Sequence, residues 1–154
     1  INNEFKERFA LEREINKDYG LFIRQDYARS RHEEIQKLRI AIKDINTKIV
    51  ATFGMTGDAL KHAREALTAE VLPRYLRWLQ NQLEAHGGEF FADHRLTVAD
   101  LKAFVVLRWL GSGKLDHIPA DLVETVAPKL AAFIGRIGGI PGIAEYYKSR
   151  GVSW

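Results

Sequence analysis

Residues 90–111 constrain the fold more than any other part of the 154-residue sequence. Within them, the hydroxyl of Thr97 can accept a hydrogen bond from the first turn of a helix, and Asp100 stands where its side chain can bond back to the N–H of Thr97. Thr97 and Asp100 therefore predict a capping box. Residues 101–110 are apolar on nearly every side, which indicates a helix buried in the middle of a bundle.

Helical periodicity extends on both sides of this stretch. One long helix is predicted to end near Gly54, which suits a helix C-terminus. Its apolar face comprises Ile35, Leu38, Ile42, Ile45, Ile49 and Phe53. Asp58 is predicted to cap the next helix, and Pro73 inside that helix predicts a bend near residues 69–72. The apolar positions there are Leu60, Ala63, Leu67, Val71, Leu72, Tyr75, Leu76, Leu79 and Leu83.

Prolines mark the last helices. A short helix is predicted over residues 121–126, a second begins at Pro128 and a third at Pro141, since proline is favoured in a first helical turn. No stretch alternates apolar and polar residues between turn signals as a strand would. The fold class is therefore predicted as all-α, a helical bundle packed around the helix that follows Thr97.

Composition and sequence motifs exclude several classes of functional site and partner. The absence of cysteine excludes disulfides, thiolate metal sites and a cysteine nucleophile from these residues. The five histidines lack the spacing of a metal site, and no serine-hydrolase or phosphate-loop motif occurs, so we expect no metal and no catalytic residue of those kinds. The net charge of +3 is spread over mixed-sign helix faces, which argues against a nucleic-acid partner. No apolar run is long enough for a membrane span.

Residues 1–38 are predicted to form a helical extension. Its aromatic stripe either packs on the core of the same chain or docks on other protein subunits, and we favour the docking arm. The interaction residues would be Phe5, Phe9, Tyr19, Phe22 and Tyr27. The first residue is Ile1, so we expect a processed mature chain or a recombinant fragment, in which any targeting peptide is no longer visible.

Four separated stretches of residues 38–154 form a recognisable series. They are residues 42–54, residues 72–76 with the turn at 87–91, residues 96–100 with the capping box, and residues 128–130 with the turn at 140–143. Together they resemble the C-terminal helical domain of the cytosolic glutathione transferases, nearest to the sigma-like class. The predicted domains are therefore an N-terminal arm, residues 1–38, and a glutathione-transferase C-terminal-like domain, residues 39–154.

The resemblance also implies what to expect of the site. An acidic residue of the family's first C-domain helix reaches the amino group of glutathione bound in the neighbouring subunit, and Asp44 matches that position. The end of the same helix lines a pocket for apolar substrates, where Ile49, Phe53 and Met55 fall. The alternatives are a solvated Asp44 paired with a nearby lysine and apolar residues that belong only to the core.

The resemblance departs from the family at the N-terminus. Transferases of this family begin with a thioredoxin-like domain of roughly 80 residues, which activates the glutathione thiol. About 40 residues precede the matching region here, and they show neither a βαβ pattern nor a proline, since all four prolines stand at Pro73 or later. We therefore expect that domain to be absent and the chain to hold no catalytic residue.

Three functions follow as hypotheses. The first is a non-catalytic, transferase-like subunit that acts as a structural and interaction module, without a cofactor, in a larger assembly. The second is a glutathione transferase whose catalytic domain is supplied by another chain, with glutathione bound through Asp44, and the third is a carrier of apolar molecules. A homodimer is a further expectation. The family implies an intracellular, cytoplasmic protein, with an organelle such as the mitochondrion as the alternative.

Overall fold

A computed structural model of the protein describes residue 10 and residues 32–152. Over residues 32–152 the chain forms seven α-helices and one short π-helical segment, with no strand. The helices are α1 His32–Val50, α2 Gly57–Ala66, α3 Leu72–Ala85, α4 Val98–Leu110, α5 Leu122–Val126, α6 Pro128–Gly138 and α7 Pro141–Ser149, and the π segment Leu67–Val71 joins α2 to α3. The predicted all-α class is confirmed.

Helix α4 is the centre of the bundle, as predicted. It begins directly after Thr97, and ten of its 13 residues are buried. It packs against α1, α5 and α6, and the ring of Phe104 meets that of Tyr147 from α7 edge to face at 6.2 Å. A helix enclosed in this way cannot satisfy its end groups with water, which is why its N-terminus requires an internal cap.

The capping box is present and completely buried. Asp100 Oδ2 accepts hydrogen bonds from the backbone N–H of Thr97 at 2.8 Å and from its hydroxyl at 3.1 Å. The other carboxylate oxygen accepts the N–H of Phe91 at 2.9 Å. Asp100 therefore fixes both the start of α4 and the loop before it, and Phe91 anchors that loop by contacting the ring of Phe133 at 5.1 Å.

Helix α1 buries the predicted apolar face, although it ends at Val50 and not near Gly54. Residues 51–54 form turns, and the carbonyl oxygens at the end of α1 accept bonds from these turns, as in Thr52 N–H to Ile49 O at 3.0 Å. Because α1 starts at His32, it extends across the domain boundary predicted at residue 38, and the boundary itself stays a prediction.

The segment from α2 to α3 is continuous, with a π turn where the bend was predicted. Residues 67–71 carry the widened turn, and Leu72 N–H donates to Leu67 O, five residues back. Pro73 stands in the first turn of α3, directly after the π turn. One prediction here was wrong: Thr56 is the N-cap of α2, and Asp58 lies inside its first turn, where an acidic side chain still favours the helix dipole.

The buried residue of α2 is an arginine. Leu60, Ala63 and Leu67 are only half-buried, whereas Arg64 is 1% exposed. Its Nε–H donates to Thr52 Oγ1 at 3.0 Å and Nη1 donates to the carbonyl of Asp116 at 3.0 Å. Burial lowers the pKa of Arg64, and the nearby charge of Asp116 opposes that shift. The side chain joins α2 to the end of α1 and to the loop after α4.

The last two helices begin at the prolines as predicted, and α5 starts one residue after Asp121. Arg136 of α6 donates from Nη2 to the carbonyls of Gly88 and Glu89 at 2.8 and 3.0 Å, closing the turn after α3. None of the helices in the described residues has the length and apolar character to cross a membrane.

Candidate functional site

A groove of about 540 Å³ lies between α1 and α3. Four residues of α1 and three of α3 line it: Lys37, Ile40, Ala41 and Asp44 on one side, and Arg74, Tyr75 and Trp78 on the other. The positions on α1 are separated by three, one and three residues, which places them on one side of the helix. The groove therefore runs along the edge where two packed helices meet.

Local sequence explains why these side chains face the groove. The neighbouring positions of α1, such as Leu38 and Ile45, are buried in the core, as are Leu76 and Leu79 of α3. Each helix is thereby held with its apolar stripe inward. The residues beside that stripe come to the rim, where they are partly or fully open to solvent, except for the buried Ala41.

One hydrogen bond crosses the groove. The hydroxyl of Tyr75 donates to Asp44 Oδ2 at 3.3 Å, between residues 31 positions apart. Burial raises the pKa of Tyr75, the charge and hydrogen bond of Asp44 raise it further, and Arg74 acts in the opposite direction. Tyr75 is therefore a protonated donor at neutral pH, and the carboxylate of Asp44 keeps lone pairs for other donors.

The groove combines both charge signs with an apolar wall. Asp44 supplies an anion, Lys37 and Arg74 supply cations, and Ile40 is 59% exposed beside the indole of Trp78. A carboxylate next to two cations can hold a ligand that carries an ammonium group and a carboxylate. The seven lining residues include no serine, cysteine or histidine.

The structure places the predicted site residues in different parts of the molecule. Asp44 lines the groove, whereas Ile49 is fully buried. Phe53 is half-buried and packs edge to face on Trp109 at 5.9 Å, and Met55 is 40% exposed in the turn before α2. None of the three apolar residues is among those lining the groove around Asp44, so their role in a substrate pocket stays a prediction.

The sequence predicts two further sets of residues. Thr97 and Asp100 form the buried structural cap of α4, and neither lines the groove around Asp44. The N-terminal interaction residues Phe5, Phe9, Tyr19, Phe22 and Tyr27 lie outside the described residues. Among residues that the structure describes, no group of three or more histidine, cysteine, aspartate or glutamate side chains could hold a metal ion.

Sequence reasoning missed most of the groove. Tyr75 was assigned to the apolar stripe, and Lys37 and Arg74 were unassigned charged residues. A signal existed on α1, because Lys37, Ile40 and Ala41 share one helical side with Asp44, the residue already singled out. No local signal indicated the α3 side of the groove, because 31 positions separate Tyr75 from Asp44.

The chain matches the model of a known protein family. A family model described as glutathione S-transferase, C-terminal domain, matches residues 43–150. The match covers more than half of the 154 residues and includes Asp44, Tyr75 and the Thr97–Asp100 box. No curated protein matches the chain.

Proposed function

The chain belongs to the glutathione S-transferase C-terminal domain family, and from this premise we propose that it serves as the helical half of a glutathione transferase. In this role Asp44 binds the amino group of glutathione. A thioredoxin-like domain, on the same or another polypeptide, activates the thiol. The sulfur then attacks an apolar electrophile: a carbon–sulfur bond forms, the leaving group departs with its electron pair, and the thiol proton passes to a base or to solvent.

The observation that carries this proposal is the open carboxylate in a groove of mixed charge. Asp44 is exposed, lies at the position that the family resemblance assigns to the glutathione amino group, and keeps unshared acceptor capacity beside its bond to Tyr75. Glutathione carries one ammonium and two carboxylate groups at neutral pH. Lys37 and Arg74, which line the same groove as Asp44, are suitable partners for its carboxylates.

The resemblance also implies that Asp44 acts on glutathione held by a neighbouring subunit, so the proposed function includes a homodimer. A dimer would bring α1 of one copy to the ligand of the other. Multi-angle light scattering on the purified protein at micromolar concentration measures this directly. A mass of one chain at all concentrations would contradict the shared site.

The central test is enzymatic. The protein, together with the thioredoxin-like domain that the proposal requires, is assayed for glutathione conjugation to a chlorodinitrobenzene-type electrophile. Asp44→Asn is expected to raise the KM for glutathione about tenfold, as for loss of a hydrogen bond to a charged group. Asp121→Asn, an exposed carboxylate at the start of α5 without a side-chain cap bond, is the matched control. An unchanged KM in Asp44→Asn would overturn the assignment of Asp44.

A second candidate function is a non-catalytic structural and interaction module, and exposed Ile40 favours it. An isoleucine that is 59% exposed beside a half-buried tryptophan suits a protein contact more than solvent. Ile40→Lys would then dissociate the complex. The N-terminal aromatic residues remain the proposed contacts with partner subunits, and native mass spectrometry of the complex after Phe5→Ser and Phe9→Ser tests them.

A further inference from the structure

We propose that Tyr75 is a positioning residue that holds the Asp44 carboxylate for an ammonium group, and thereby makes the groove selective for ligands with a free amine. The inference rests on the proposed function and extends it. It assigns selectivity to a hydroxyl on α3, although the charge that meets the ligand is on α1.

The geometry supplies the first argument. Asp44 is exposed, so its side chain would otherwise sample several rotamers, and ordering it on binding would cost conformational entropy. The hydroxyl of Tyr75 donates a hydrogen bond to Oδ2 of Asp44 at 3.3 Å. The side chain of Tyr75 is itself half-buried and packs against the core, so it is a fixed reference point for the carboxylate.

Acceptor capacity supplies the second argument. An ionised carboxylate has about four lone-pair sites, and Tyr75 takes one, so Oδ1 and the rest of Oδ2 remain for the N–H donors of an ammonium group. Tyr75 also keeps its proton: burial and the negative charge of Asp44 raise its pKa. A phenolate there would repel the carboxylate that the neutral phenol holds.

The surrounding charges supply the third argument. Lys37 and Arg74 line the same groove, and a free Asp44 side chain could turn toward either cation. An internal ion pair of that kind would compete with the ligand for the carboxylate. A bond to the neutral donor Tyr75 orders Asp44 without cancelling its charge, which leaves the attraction for a ligand cation intact.

The test compares two ligands by isothermal titration with the full chain. Glutathione carries the ammonium group, and N-acetylglutathione replaces it with a neutral amide. The 3.3 Å separation is longer than the 2.5–3.0 Å range usual for O–H···O bonds. For Tyr75→Phe we therefore expect about threefold weaker binding of glutathione, at the lower end for one hydrogen bond, and unchanged binding of N-acetylglutathione.

Two controls make the result decisive. Asp44→Asn gives the full loss of selectivity, and Tyr147→Phe removes a hydroxyl from a buried tyrosine of α7 without changing the ratio of the two affinities. Equal weakening of both ligands by Tyr75→Phe would indicate a merely structural role and overturn the proposal. Glutathione binding that Asp44→Asn weakens and Tyr75→Phe leaves unchanged overturns this proposal alone. Absence of glutathione binding by the wild-type chain overturns the proposed function and this proposal with it.

Discussion

The carboxylate of Asp100 lies 2.8 Å from the backbone nitrogen of Thr97, and both residues are completely buried. Asp100→Ala removes the acceptor of three donors, including the N–H of Phe91. With each buried unpaired donor costing about 1–3 kcal/mol and water entering part of the site, we expect a loss of about 3 kcal/mol in the free energy of unfolding. Urea denaturation measures it. Asp121→Ala, on an exposed N-cap, should stay within about 0.5 kcal/mol of wild type.

The two threonine caps provide a matched pair. Thr97 belongs to the buried box, whereas Thr56 is an exposed N-cap of α2 that makes no side-chain cap bond. Thr97→Ala is expected to lower the free energy of unfolding by about 1–2 kcal/mol, and Thr56→Ala by a few tenths at most. Thermal unfolding of the two variants side by side compares them. Equal shifts in Tm would show that the box adds nothing to an ordinary cap.

Asp44 should control the titration of Tyr75. Because the charge and hydrogen bond of Asp44 raise the pKa of Tyr75, Asp44→Asn should lower that pKa toward its usual value of 10.0. Arg74→Gln should raise it, because Arg74 acts in the opposite direction. Absorbance of the phenolate near 295 nm, recorded as the difference from Tyr75→Phe, isolates this residue. Shifts of the same sign in the two variants would contradict the described groove.

The same raised pKa has a consequence for stability. Folded Tyr75 retains its proton above pH 10.0, where the unfolded phenol loses it, so its contribution to stability is complete below that pH. The contribution is lost as pH rises through the folded pKa. The pH dependence of unfolding should therefore be weaker in Tyr75→Phe than in wild type at alkaline pH, and a chemical denaturation series from pH 9 to 11 measures the difference.

Volume and charge at Arg64 can be separated by two substitutions. Arg64→Ala leaves a cavity and frees the carbonyl of Asp116, so we expect a loss of about 3 kcal/mol or more. Arg64→Met keeps most of the volume and removes a buried charge whose lowered pKa shows the cost of desolvation, so it should stay within about 1 kcal/mol of wild type. Urea unfolding distinguishes the two, and equal losses would show that the hydrogen bonds dominate.

In either Arg64 variant, the loop after α4 should loosen. The N–H of Ile118 donates to Leu115 O at 3.1 Å in that loop, next to the carbonyl that Arg64 holds. Hydrogen exchange at Ile118 should therefore accelerate in both variants, while exchange in the middle of α4 follows global stability only.

Local patterns in the sequence predicted most of the helix starts. Proline at positions 128 and 141, the Thr97–Asp100 box and the stripe of α1 depend on interactions within a few residues, and the structure has the helices there. Arg64 escaped prediction because its partners, Thr52 and Asp116, are 12 and 52 residues away. No local pattern distinguishes a buried arginine from the solvated ones around it, so its burial depends on the assembled tertiary structure.

In the groove, too, the sequence predicted the residues that depend on local spacing and missed those that depend on tertiary packing. Asp44 was singled out through family resemblance, and its helical neighbours followed from spacing alone. Tyr75 was assigned to the core, which is half correct: its ring packs inward while its hydroxyl reaches across to Asp44. A tyrosine can contribute its ring to the core and its hydroxyl to a polar groove at the same time. The packing angle of α1 against α3 decides whether that hydroxyl reaches Asp44.

The widened turn at residues 67–71 sets the rotational phase of α2. A bond that reaches five residues back, as from Leu72 to Leu67, encloses one residue more than an α-helical bond, which corresponds to a rotation of about 100°. Deleting one residue there would convert the π turn into an α-helical turn and rotate Arg64 away from Thr52. The number of residues in this segment and the presence of arginine at position 64 therefore depend on each other. A homologous chain with one residue fewer in the segment should also lack the arginine.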